Sequence, residues 1–313
     1  MLLIIGWAAV QLAAMMTPAA TAASDDRPAV VATTSIWADI VARVDCTDRF
    51  DVEALVPVGA DAHSYEPSMQ DRQVLEDAAL IVANGGDLEE QLHDTLDVVA
   101  DEGTPLLEVF DHVTTAALEE VPTEDGTGHA EDEHGEHGGD DPHVWFDPTL
   151  VIEAAPVIGD ALVAAGADEA ETAGCVAALT ESLGDLDAEV AEILSVVPAE
   201  RRLLVTNHDA LGYFARHYGF EILGSVLPGS STLSEASPAE LAELSTDIEE
   251  AGVPAIFAEA LESADEATAL ADRLGVEVVA LYTDSLGEEG SGAETYIDLM
   301  RFDAAAIAGA LGE

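Results

Sequence analysis

Lysine is absent from this chain of 313 residues, and its nine cationic side chains are all arginines, set against 64 Asp and Glu for a formal charge of -55. Nucleic acid and anionic lipid are gripped through clustered Lys and Arg, and the densest cluster here is the pair Arg201 and Arg202. Nucleic acid is therefore not expected as a partner, and cations are the natural ligands. The bulk charge reads as a strongly solvated surface suited to high salt. Aromatic residues are also scarce at 5%, and nothing points to a face built for gripping a receptor. With 49% of the chain apolar, disorder is nevertheless excluded, and two domains of about 130 residues each can close around their own cores.

Cysteine is limited to Cys46 and Cys175, too few and too far apart for a Cys-based metal site. One disulfide or two buried thiols fit this count, and the bridge is the expectation for an exported chain. No long hydrophobic run is present either. Residues 2–16, LLIIGWAAVQLAAMM, are short for a membrane span and run into TPAATAAS, whose Ala20-Thr21-Ala22 suits signal peptidase. A secretory signal over 1–23 is expected, with an uncleaved anchor as the alternative because no Arg precedes the run. No Cys follows it, so an N-terminal lipid-modified Cys is not expected. The location implied is extracytoplasmic, in a periplasm or at the cell surface.

Beyond this segment, AVVAT (29–33), DVEALVPVG (51–59) and ALIVANGG (79–86) read as strands. They alternate with helical patterns through Ile36, Ile40, Val41 and Val44, over 68–78, and over LEEQLHDTL (88–96). The second half repeats this arrangement with LLVT (203–206), EILGSV (221–226), AIFAE (255–259) and VEVVALY (276–282) as strands. Alternation of this kind predicts parallel sheets with helices on their faces. Residues 123–142 break the pattern with eight acidic residues and three His, and are expected to form a flexible loop. Asp147 then stands to cap a helix with Pro148 in its first turn. Apolar positions Val176, Leu179, Leu183, Leu186, Val190 and Ile193 predict a helix of about 40 Å, able to join two domains rigidly. The expected division is a first lobe over 24–167, a linking helix over 168–197 and a second lobe over 198–313.

In open parallel sheets, ligands bind beyond the carboxyl ends of the strands. Four residues fall there: His63 in GADAHSYEP, His143 opening HVWFDP, His208 in TNHDALGYF and Asp284 in TDSLG. Three imidazoles and a carboxylate suit a closed tetrahedral zinc site, whereas Mn²⁺ prefers more oxygen donors. Taken singly, each His is as well read as structural, and separations of 80, 65 and 76 residues form no local metal motif. Glu259, closing AIFAE, is an alternative acidic ligand or a partner that orients an imidazole. His129, His134 and His137 are read as weak auxiliary metal binders in the acidic loop. His93 and His112 have no assigned role. His217, nine residues past His208, is read as surface or packing.

The segments GADAHSYEPS, DPHVWFDP, VTNHDALGYFARHYGF and LYTDSLGEEGSGAETYIDLMR resemble the signature segments of the zinc and manganese substrate-binding proteins of ABC importers. The likeness extends to VVATTSIWADIV, LIVANGG and the His-rich acidic loop, and so covers nearly the whole chain after the signal. It implies two Rossmann-like lobes with parallel sheets joined by one long rigid helix, and a metal held between them. His63 and His143 match the ligands of the first lobe, and His208 and Asp284 those of the second. Manganese members typically carry Glu at the third position, so His208 makes the chain resemble the zinc-binding type. Ala62 departs from the Pro that often precedes the first His. The resemblance implies Zn²⁺ as the bound ion, a membrane permease as partner with a zinc metallochaperone second to it, and a monomer without enzymatic activity. A manganese-binding member, a metal-dependent adhesin and, last, a secreted zinc hydrolase are the alternatives. No HExxH pair supports the last of these.

Overall fold

Strand and helix alternate to build two four-stranded sheets, each wholly parallel. The computed structural model describes residues 27–115, 141–260 and 264–312. The expected signal segment and His129, His134 and His137 lie outside the described residues. The first sheet contains β1 (Ala29–Ala32), β2 (Asp51–Ala54), β3 (Leu80–Ala83) and β4 (Leu106–Glu108), in the order β2-β1-β3-β4. The second contains β5 (Leu203–Thr206), β6 (Glu221–Ser225), β7 (Ala255–Glu259) and β8 (Glu277–Leu281), in the equivalent order β6-β5-β7-β8. In each sheet the second strand steps to one side of the first and the third crosses to the other, which opens a crevice at the carboxyl ends between the first and third strands.

The apolar pattern of each element explains its place. β3, LIVA, is buried along its whole length between helical layers, as a central parallel strand must be. Helix α1 (Ser35–Val44) starts where the Thr34 hydroxyl accepts the Trp37 N–H, and it buries Ile36, Trp37, Ile40, Val41 and Val44. Helix α2 (Met69–Asp77) opens on a reciprocal cap between Ser68 and Asp71. The helix expected over 88–96 begins later, as α3 (His93–Glu102), because the Glu89 carboxylate turns back to accept the Asn84 and Gly85 N–H groups. β4 was not foreseen: it is a three-residue edge strand following the turn out of α3. Gly86, with φ +63, lies where a Cβ would meet the Phe110 ring at 2.7 Å, so the second Gly of LIVANGG serves a close approach.

Helix α4 (Pro148–Ala164) is capped by Asp147, and α5 (Glu169–Leu194) follows it. At 26 residues, α5 is about 39 Å long and lies in the chain between the two sheets. Its buried stripe of Leu179, Leu183, Leu186, Val190 and Leu194 joins an apolar cluster running from Val30 of the first sheet to Phe257 of the second. Cys175 of α5 is disulfide-bonded to Cys46, just past α1. The second half adds α6 (Gly212–Tyr218), α7 (Pro238–Ala251), α8 (Asp265–Leu274) and α9 (Tyr296–Leu311), the last packing back on α5. Among the described residues no helix is long and apolar enough to cross a membrane.

Candidate metal centre

The segments leaving the carboxyl ends of the two sheets face each other, and His63, His143, His208 and Asp284 meet between them with ligand atoms all within 4.8 Å of one another. All four are buried, none more than 5% exposed. His63 follows β2, His208 follows β5 and Asp284 follows β8. His143 stands just before the 3₁₀ turn Val144–Phe146 that leads to Asp147 and α4.

The separations have chemical meaning. The Nε2 of His143 lies 3.4 Å from that of His63 and 3.3 Å from that of His208. The two Asp284 oxygens lie 3.3 Å from His143 Nε2 and 3.3 Å from His208 Nε2. Four donors each about 2.0–2.1 Å from a central zinc stand about 3.3–3.4 Å apart along the edges of their tetrahedron. The four separations around His143 Nε2 and Asp284 match such edges, within a group whose ligand atoms all lie within 4.8 Å of one another, so the donors converge closely enough to share one cation.

Two aspartates hold the histidine loops of the first lobe. Asp61 accepts the His63 N–H at 2.8 Å, and Asp141 accepts the His143 N–H at 3.0 Å, the same Asp-x-His turn in both loops. Asp141 also lies 2.7 Å from His143 Nδ1, so the neutral ring carries its proton there and presents the Nε2 lone pair to the centre. Asn84, fully buried, donates to the Pro142 carbonyl at 2.9 Å and accepts the Trp37 indole N–H at 2.8 Å, tying this loop to α1. Neither Asp141 nor Asn84 was singled out from the sequence. The Asp-x-His pattern recurs at 132–134 as well and so does not single out the first, and nothing local marked the second.

The second lobe holds Asp284 through its neighbour. Glu259 accepts the Ala260 N–H at 2.8 Å and the Thr283 N–H at 2.8 Å, and is bonded to the Thr283 hydroxyl as well. Glu259, expected as an alternative ligand or a partner that orients an imidazole, lies outside the group His63, His143, His208 and Asp284. Its oxygens are committed to the backbone beside Asp284. The Trp145 indole donates to the Thr283 carbonyl at 3.0 Å across the cleft, and the Tyr296 hydroxyl donates to the Trp145 carbonyl at 2.6 Å. At the rim the Thr232 hydroxyl donates to Asp61 at 2.6 Å, and the Gly59 N–H donates to the Ser285 hydroxyl at 2.9 Å.

Electrostatics follow from burial and from the carboxylates of Asp284 and Asp141. Burial pushes the His63 ring down to about 4, with Asp284 opposing, and lowers His208 in the same way. Burial would lower His143 too, but Asp141 and Asp284 outweigh it and raise it to about 10. Burial alone would raise Asp284, yet the charges of His208 and His143 hold it well below the usual carboxylate range. Burial beside Asp284 lifts Glu259 to about 7. The metal-free centre favours a negative Asp284 and neutral rings at His63 and His208, so a cation binding all four residues displaces a proton from His143. His217, read as surface or packing, is part-buried between Asp147 and Asp187. His93 stands at the start of α3 and His112 in the turn after β4, both outside the four-residue group.

Residues 30–310 match the family described as ZnuA, zinc-uptake complex component A, periplasmic. The chain is 33% identical over 300 residues to the zinc-binding protein TroA of Treponema pallidum, covering 93% of this chain and 91% of that protein. It is 31% identical over 274 residues to the manganese-binding lipoprotein MntA of Halalkalibacterium halodurans, covering 87% of this chain and 84% of that protein. Among solved structures, the periplasmic zinc-binding protein TroA of Treponema pallidum matches with a TM-score of 0.80 at 29% identity, over 92% of this chain and 100% of that one.

Proposed function

The chain belongs to the ZnuA family of zinc-uptake complex component A proteins, and from that premise we propose that it is an extracytoplasmic zinc receptor whose ligands are His63, His143, His208 and Asp284. As a family member it is a metal-binding substrate-binding protein of an ABC importer, which delivers to a membrane permease. The observation that carries the zinc reading is the set of 3.3–3.4 Å separations among three imidazole nitrogens and one carboxylate. Borderline Zn²⁺ takes such nitrogen donors in tetrahedral geometry, and four protein ligands leave no open position for the water that a hydrolase would activate.

Capture and release follow from the origin of the ligands. Two come from the first half of the chain and two from the second, so closing the cleft completes the coordination set and parting it divides the set two and two. In this reading, residues 1–23 are removed on export, 24–167 and 198–313 form the lobes, and 168–197 is the strut between them. His129, His134 and His137 gather metal weakly. A manganese receptor is the second reading, favoured by the likeness to MntA and by the two Asp284 oxygens, one facing His143 and the other His208, which together could supply a fifth donor.

The test is titration of metal-stripped mature protein with Zn²⁺ and Mn²⁺ separately against a competing chelator. One zinc equivalent at nanomolar affinity or tighter, about -12 kcal/mol, is expected, with far weaker Mn²⁺ binding. Deleting 123–140 should leave that equivalent intact. Absence of a tight site for either ion would refute the four-ligand assignment.

A further inference from the structure

His217 stands in α6, nine residues beyond His208, and its ring spans two carboxylates from other parts of the chain. Its Nε2 is 2.7 Å from Asp187 of α5, and its Nδ1 is 3.3 Å from Asp147, the residue that ends the 3₁₀ turn after His143 and caps α4. Asp147 also accepts the Thr149 N–H at 2.9 Å and its hydroxyl at 2.6 Å, and the Tyr218 hydroxyl donates to Asp187 at 3.1 Å. The ring is therefore the meeting point of three elements: the segment that carries His143, the helix that follows His208, and the long helix between the sheets. Packing follows the same line, with the Phe146 and Phe214 rings edge-on at 6.4 Å and Phe214 against Tyr218 at 4.8 Å.

We propose that His217 is a positioning residue of the metal centre, a cationic clip between Asp147 and Asp187 that sets the spacing of the His143 segment from the His208 helix. The proposal rests on the reading that both histidines hold the metal. Charge makes the clip effective, because a protonated ring donates from both nitrogens and bridges two carboxylates at once. The hydrogen bonds to Asp147 and Asp187 outweigh burial and raise its proton affinity to about 9, so the ring is charged at neutral pH. Facing it are those two carboxylates and the Tyr218 phenol, itself driven up by burial and by Asp187. In a chain with nine Arg and no Lys, an interior cation between two helices is a scarce resource. His143 lies four residues from one end of this clip, so a shift of the clip weakens the bond its ring makes to the metal without removing the ligand.

The test compares wild type with His217→Gln and His217→Arg, reading zinc affinity and dissociation rate by chelator competition at pH 7.5 together with the melting temperature of the metal-free protein. Gln keeps hydrogen bonding but loses charge, and should weaken zinc about tenfold, chiefly through faster dissociation. Arg restores a cation that can fork between the carboxylates and should recover affinity to within about threefold of wild type. Asp187→Asn, which leaves His217 in place, should weaken zinc in the same direction and guards against a His217 variant that misfolds. Variants that melt earlier yet bind and release zinc as wild type does would overturn the proposal and leave the clip a purely stabilising contact. Wild type without a tight zinc site would overturn both this proposal and the reading beneath it.

Discussion

Replacing Asp141 by Asn tests whether the ring of His143 is set by a charged partner or only by the turn around it. The wild-type carboxylate makes two contacts, 3.0 Å to the His143 N–H and 2.7 Å to its Nδ1, from a site only 4% exposed. An Asn amide oxygen preserves the turn but supplies no negative charge to the ring, so the imidazole becomes less basic and the charge of the bound cation is less well balanced. Loss of such a carboxylate partner typically costs 10–100-fold in metal affinity, about 1.4–2.7 kcal/mol. Asp61→Asn is the internal control, because Asp61 holds the His63 backbone at 2.8 Å and Thr232 at 2.6 Å. Its effect should be the smaller of the two. Competition with a chromogenic chelator at fixed pH gives both affinities. An Asp141→Asn protein that binds zinc within twofold of wild type would refute the argument that Asp141 tunes the ring.

Two further outcomes follow from the frame. Cys46 and Cys175 close a loop of 129 residues, for which the chain-entropy relation gives at most about 5 kcal/mol. Reduction should lower stability by about 3 kcal/mol in denaturant melts while zinc affinity stays within a few-fold, since the bridge lies at α1 and α5; a loss under about 1 kcal/mol would contradict this. The second concerns alkaline pH. His217 is raised from 6.5 to about 9 in the folded protein, so its stabilisation is fully present below about 6.5 and is lost as pH rises through about 9. After allowance for solvent screening, the stability difference between wild type and His217→Gln should shrink by about 1–2 kcal/mol from pH 6 to pH 10 in urea titrations. A difference that is constant with pH would refute the assignment of charge to this ring.

The parallel α/β class and the long helix were legible because continuous apolar runs such as LIVA and the stripe from Leu179 to Val190 carry their own periodicity. β4 was not, since three residues at a sheet edge carry almost no pattern. The helix start at His93 was hidden for a related reason: the Glu89 carboxylate bonds backbone N–H groups upstream, a contact that no propensity records. The metal centre itself could be placed at strand ends by topology, but joining four residues so far apart in the chain needed the resemblance. Its supports were less visible still. Asp141 sits among acidic residues that read as one solvated run, and the Asp-x-His pattern at 61–63 and 141–143 also occurs at 132–134 within that run, so it does not set Asp141 apart. That His217 packs is consistent with its helix, but its partners Asp147 and Asp187 could not be named from that helix because they arrive from the cap of α4 and from α5. Glu259 was placed near the centre from its strand end, and that it grips Thr283 depends on the register of β7 with β8.

The central claim is that one cation sits among donors supplied by both halves of the chain. Anomalous diffraction at the zinc edge, from crystals of mature protein loaded with one equivalent of Zn²⁺, addresses it directly. The account predicts one dominant peak about 2.0–2.2 Å from the Nε2 atoms of His63, His143 and His208 and from an oxygen of Asp284. A dominant peak bounded by residues of one half alone, or lying away from these four side chains, would contradict it.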